Sequence, residues 1–209
     1  MTLESLGASV AKHLLESDLD LNNTILLGWS YGGVLGYEVC KRLSANTRQR
    51  NNPLKQPELV MLDSGFSDGL HEVTFERNFQ EVMFACELGL LPTAIPEYAS
   101  HPDLDRRLKW LCEYLKEQKV VLTQQDLSAW WLLYKARLND LLTYSLGTKA
   151  PNNRVHLIIA EQHPHGREDL GWMDIGDKFI KRTINTDHQG IVRNQMTVDW
   201  LQQLIKQGA

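Results

Sequence analysis

Cysteine is scarce: Cys40, Cys86 and Cys112 are the only three in 209 residues. They form no CxxC pair and no even set, which excludes a disulfide framework and implies a reducing compartment, with the cytoplasm as the expected location. An excess of one charge is also missing. Lys and Arg number 22 against 26 Asp and Glu, for a formal net charge of -4. A chain without a basic face is poorly suited to a phosphate backbone, so nucleic acid is not an expected partner. Arg48 and Arg50 read as part of a solvated loop. No run of about 18 apolar residues occurs, so no membrane span is expected. The opening stretch, MTLESLGASVAKHLLESD, lacks the basic start and apolar centre of a signal peptide. Internal repeats and low-complexity segments are absent too. What is present, 43% apolar and 23% charged residues, suits one globular domain with a proper core.

Periodicity supplies the elements. Leu3, Leu6, Val10, Leu14 and Leu15 recur at helical spacing and predict an amphipathic helix over 2–16. TILLGW, 24–29, is short, apolar and partly β-branched, as a buried strand requires. A helix over 34–43 follows, with Leu35, Val39 and Leu43 on one face, and the polar, Pro-punctuated 44–57 reads as a surface loop. ELVML, 58–62, is a second buried strand. Between His71 and Leu146 the pattern is helical throughout, with segments near 72–91 and 103–117 and a third opening at Thr123, where Asp126 completes something close to a capping box. VHLIIA, 155–160, is a third strand and KRTIN, 181–185, holds a fourth. A closing helix is expected over 191–206. Strands alternating with helices predict an α/β fold with a mostly parallel sheet.

In such sheets function gathers at the carboxyl ends of strands. Three residues suited to one chemistry stand there. Ser30 follows the first strand inside Gly28-Trp29-Ser30-Tyr31-Gly32, a G-x-S-x-G. A strand that turns sharply into a helix pushes such a serine into the open, and helix N–H groups then favour a developing negative charge. Serine needs a base, and the base needs a carboxylate to fix its tautomer. Asp63 ends the second strand and His188 follows the fourth, in the order Ser, Asp, His expected of an α/β-hydrolase. Glu161, at the end of the third strand, is a rival acid, with Asp63 preferred. The competing role for Ser30 is a helix N-cap. His163 and His165 lack further ligands at metal spacing and read as a loop turn, so no metal is expected. His13, His71, His101 and His156 read as surface or packing residues.

With LLGWSYGG, LVMLDSG, LLYKARLNDLLTY before VHLIIAE, LGW at 170–172 and TDHQGIV, nearly the whole chain resembles the thioesterase domains of nonribosomal peptide and polyketide synthases. The resemblance implies a partial α/β-hydrolase fold with a helical lid insertion, here about 71–146. It also implies an acyl or peptidyl chain presented on the phosphopantetheine of a carrier protein, with no cofactor of the domain's own. The chain is taken onto serine and released as an acid or a ring. The resemblance supports Asp63 over Glu161. Trp29, Trp130 and Trp131 are candidates for the acyl channel. Packing between insert helices is the competing role for the Trp130–Trp131 pair and for Phe75, Phe79, Met83 and Phe84. The pattern departs at Thr186 and Gln189, where the family carries Gly and an aromatic residue. The strands that precede the nucleophile strand in the family are not seen, so the chain is expected to be an N-terminally truncated domain. The Tyr31 N–H is then the one expected oxyanion donor, and loss of a second costs about 10²–10³-fold in rate. The nucleophile strand would form an open edge, through which self-association is expected. Two alternatives stay open: another serine hydrolase, an esterase or lipase, and an impaired fragment that only docks a carrier protein.

Overall fold

A computed structural model of the chain describes residues 2–49, 56–65, 79–146, 154–162, 170–172 and 179–208. They divide into two compact units, Met1–Leu70 with Asp140–Ala209, and His71–Asn139.

The first unit is a parallel sheet with helices on its faces. Helix α1 (Leu3–Glu16) is capped by Thr2, whose hydroxyl accepts from the Ser5 amide. Strand β1 (Ile25–Trp29) leads into α2 (Tyr31–Gln49), followed by β2 (Glu58–Leu62). Past the second unit come β3 (Val155–Ala160), β4 (Phe179–Ile184) and α7 (Gln195–Gly208). The strand order is β1-β2-β3-β4, and every pairing is parallel, with Trp29 opposite Leu62 and Leu62 opposite Ile158. The α/β class and the parallel sheet are therefore as the sequence predicts. Strands β2 and β3 are almost wholly buried, which explains why they read as unbroken apolar runs.

Alternation sorts their side chains. Leu59, Met61, Leu157 and Ile159 join Leu3, Val34, Tyr37 and Trp172 on one face. Val60, Leu62, Ile158 and Ala160 join Ile184, Ile191, Trp200 and Leu204 on the other. Strand β1 is one margin of the described sheet, with Leu27 55% exposed.

The second unit is helical and has its own core. It contains α3 (Phe79–Glu87), α4 (Ile95–Ser100), α5 (Leu104–Glu117) and most of α6 (Gln124–Thr143). Phe84, Tyr98, Leu108, Leu111, Leu115, Leu127 and Trp131 form the cluster, beside a buried ion pair between Glu81 and Arg107. At α6 the Thr123 hydroxyl accepts from the Asp126 amide at 3.1 Å, and the Asp126 carboxylate accepts from the Thr123 amide at 2.9 Å. These are the two bonds of a capping box.

Several boundaries differ from the sequence reading. Helix α2 runs to Gln49, so residues 44–49 are helical and not loop. Two of the polar side chains there bond back to the helix: Ser44 Oγ donates to the Cys40 carbonyl at 2.9 Å, and Asn46 Nδ2 to that of Arg42 at 3.2 Å. The short α4 lies between the expected helical segments. Strand β4 is longer than KRTIN and pairs along its length with β3. The closing helix begins at Gln195, after a 3-10 turn over Gly190–Val192. There the Asn194 side chain caps the Met196 amide at 2.9 Å. Residues 140–146, assigned by sequence to the insert, belong to the first unit, where Leu141 and Tyr144 enter the sheet core. Arg50, His71, Phe75, His163, His165 and the expected helix over 72–78 lie outside the described residues.

Candidate active site

Ser30 is the single residue between β1 and α2. Its backbone sits at φ 52°, a left-handed conformation in which non-glycine residues are uncommon. The ladder holds it there: the Ser30 amide donates to the Leu62 carbonyl at 2.9 Å, and the Ser30 carbonyl accepts from the Gly33 amide at 3.1 Å. The bend leaves little room around it. A Cβ on Gly28 would lie 2.2 Å from the Gly32 carbonyl oxygen, and one on Gly33 would lie 2.0 Å from Ser64 Oγ. Gly32 itself has nothing within 4 Å of a Cβ position. Tyr31 supplies the first backbone N–H of α2, at the positive end of that helix. Its phenol donates to Asp140 Oδ2 at 3.3 Å.

One strand over, Asp63 repeats the geometry. It follows β2 at φ 44° and is 1% exposed. Its amide donates to the Ile158 carbonyl at 2.7 Å, and its Oδ1 accepts from the Ala160 amide at 2.9 Å. Oδ2 lies 2.6 Å from His188 Nδ1. A carboxylate aimed at Nδ1 fixes the tautomer and leaves Nε2 as the ring's proton acceptor. Glu161, the rival acid, is exposed at the end of β3, where its amide donates to the Ile184 carbonyl.

His188 stands in the turn between β4 and α7. Asp187 shapes that turn: its Oδ1 accepts from the Gly190 amide at 2.5 Å and its carbonyl from the Ile191 amide at 3.1 Å. A Cβ on Gly190 would meet Thr186 Oγ1 at 2.3 Å. Thr186 is one of the two departures from the family pattern, and its carbonyl accepts from the Gln162 amide at 3.1 Å.

Two tryptophans support this arrangement. Trp172, buried, donates its indole N–H to the Ser64 carbonyl at 2.5 Å, beside Asp63. Leu170 and Gly171, just before Trp172, both take positive φ. Tyr37 packs on Trp172 at 4.9 Å between centroids. Burial pushes the Tyr37 phenol up to about 12, with the Glu38 charge adding to it. Trp29 donates its indole N–H to the His188 carbonyl at 3.0 Å. Neither contact was legible in the sequence, because each joins residues more than a hundred positions apart. Of the insert tryptophans, Trp131 packs on Phe84 and Tyr134 inside the helical core, and Trp130 is 45% exposed. Among the described residues no group of three or more His, Cys, Asp or Glu side chains is placed to hold a metal ion. Nor is any described helix long and apolar enough to cross a membrane.

No family model matches the chain, and no curated protein matches it. Solved structures do. The chain is similar to holo-AB3403, a four-domain nonribosomal peptide synthetase bound to AMP and glycine, at TM-score 0.68 and 18% identity. That match covers 99% of this chain and 16% of the synthetase. The thioesterase RedJ of the prodiginine pathway in Streptomyces coelicolor matches at TM-score 0.58 and 20% identity, over 100% of this chain and 72% of RedJ. YbtT, a type II thioesterase of the yersiniabactin pathway, matches at 0.59 and 14%, over 96% of this chain and 72% of YbtT. The chain thus has the fold of thioesterases from nonribosomal peptide and polyketide biosynthesis, as its sequence blocks imply.

Proposed function

We propose that this chain is a serine thioesterase that releases an acyl, polyketide or peptidyl chain from the phosphopantetheine thiol of a carrier protein. The observation that carries the reading is the Asp63–His188 bond, made at the carboxyl ends of parallel strands one position beyond the register pair Trp29–Leu62. The thioesterase-like fold supports it.

In the proposed acylation step Ser30 Oγ bonds to the thioester carbonyl carbon as its proton passes to His188 Nε2. Asp63 stabilises the imidazolium that forms. The Tyr31 N–H meets the oxyanion. The C–S bond then breaks, and the thiol leaves with the proton from His188, so that the acyl group rests on Ser30 as an ester. In the second half water, or a hydroxyl or amine of the substrate itself, gives its proton to His188 and attacks that ester; the bond to Ser30 Oγ breaks, and His188 returns the proton to the serine oxygen. The product is a free acid in the first case and a ring in the second. No cofactor of the protein's own enters either half. Trp130, the exposed member of the tryptophan pair, is our candidate for contact with the acyl chain. Along the β1 margin the chain self-associates in this proposal, and light scattering tests it.

The test is intact-mass labelling with a serine-reactive phosphonate on this chain and on Ser30→Ala. One adduct on the parent and none on the variant is expected. A folded parent that takes no adduct would refute the serine mechanism and leave a carrier-docking role. A simple oxygen ester turned over faster than a carrier-linked thioester would move the assignment to an esterase.

A further inference from the structure

Trp29 occupies the position next to Ser30 as the last residue of β1. Its backbone is fixed opposite Leu62 in the ladder. Its side chain is wedged against the buried cluster that includes Leu62, Ile184, Ile191 and Trp200. From that seat it makes two contacts with one residue of a distant loop. The indole N–H donates to the His188 carbonyl at 3.0 Å across 159 positions. The indole ring lies 5.1 Å from the imidazole, centroid to centroid, with 32° between the planes.

We infer that Trp29 is a positioning residue, which sets the place of His188 relative to Ser30; the inference rests on the serine-hydrolase reading above. The Asp63 bond fixes one point of the imidazole, its Nδ1. A single hydrogen bond to Nδ1 does not by itself set the plane of the ring. Trp29 adds a second tether on the backbone and a surface against the ring. Because Trp29 and Ser30 are consecutive, any displacement of β1 carries the nucleophile and the tether of its base together. The ring's π face also favours the imidazolium that forms when His188 takes the serine proton. A role in the acyl channel would call on an indole whose N–H and ring are both engaged with His188.

The variants Trp29→Phe, which deletes the N–H and keeps a ring, and Trp29→Tyr, which keeps more of the bulk, make the test. The first readout needs no substrate. It is the downfield proton of the Asp63–His188 bond in the NMR spectrum, assigned by its loss in His188→Gln. We expect that proton to exchange with solvent at least about tenfold faster in both variants than in the parent protein. Unchanged exchange in a folded variant, or no such proton in the parent, would overturn the inference. The second readout is turnover of a small acyl thioester. A misplaced catalytic group costs up to about 10²-fold, so kcat should fall toward that extent with KM held. A raised KM with kcat intact would place Trp29 in the substrate channel instead. If the parent takes no phosphonate and turns nothing over, the function reading fails while the proton measurement still decides the positioning of His188.

Discussion

At Ser30 a side chain is presented by a backbone conformation that side chains disfavour, and the glycines around it make that possible for different reasons. Gly28 and Gly33 sit where a methyl has no room, whereas Gly32 faces open space. Gly33→Ala would press on Ser64, which is fully buried next to Asp63. We expect a loss of about 1–3 kcal/mol in urea unfolding from that overpacking. Gly32→Ala should instead gain about 0.4–1 kcal/mol, because alanine has less freedom to lose in the unfolded chain. Equal midpoints for the two variants would refute this account of the turn. The G-x-S-x-G pattern in the sequence points to Gly28 and Gly32, yet the close contact at the far side falls on Gly33. Ser30, Asp63 and His188 are legible as candidates because each follows a readable strand. The Trp29 and Trp172 contacts are not, since neither partner lies in the same element.

Helix α2 carries a polar cluster centred on Glu38, about two turns from its start. Glu38 is completely buried and accepts from Lys41 Nζ at 2.5 Å, Arg42 Nε at 2.6 Å and the Tyr144 phenol at 2.9 Å. Burial raises the Tyr144 phenol well above its ordinary range, and the Glu38 charge and hydrogen bond add to the shift. The bond joins the segment after α6 to the helix that starts beside Ser30. Tyr144→Phe should cost about 1.5–3 kcal/mol, the usual worth of a hydrogen bond to a charged group. Thermal unfolding checks this, and an unmoved midpoint would show that Lys41 and Arg42 suffice. The element's length is not legible in the sequence because Ser44 and Asn46 look like loop residues. In the fold their side chains turn back on the helix.

For the molecule as a whole, the amino-terminal ends of the strands are joined by His156, which sits on β3. Its Nε2 lies 3.2 Å from Glu58 Oε2 on β2, and its ring meets Trp200 of α7 at 5.0 Å. Burial is the main cause that holds this imidazole below its ordinary value; the Glu58 contact opposes the shift, while the Arg154 and Arg182 charges add to it. The folded protein therefore keeps His156 neutral where the unfolded chain, with a pKa of about 6.5, takes up a proton. The unfolded state then binds more protons, so stability falls as pH drops through that value. Urea unfolding at about pH 7.5 and 5.5, either side of it, should show a smaller loss for His156→Phe than for the parent. An equal loss would assign the decline to other groups. The overall class was readable because buried central strands are unbroken apolar runs. The return of residues 140–146 to the sheet unit was not, since α6 is one continuous helix across the division.

The bond between Asp63 and His188 spans 125 positions of chain. On a ribosome adding about 5–20 residues per second, Asp63 emerges many seconds ahead of His188. Over that interval the nascent protein carries the serine turn and the Asp63 carboxylate without the imidazole of His188. The pair is complete only once His188 has been made, so a chain that stalls before it is released with Asp63 unpartnered by that imidazole.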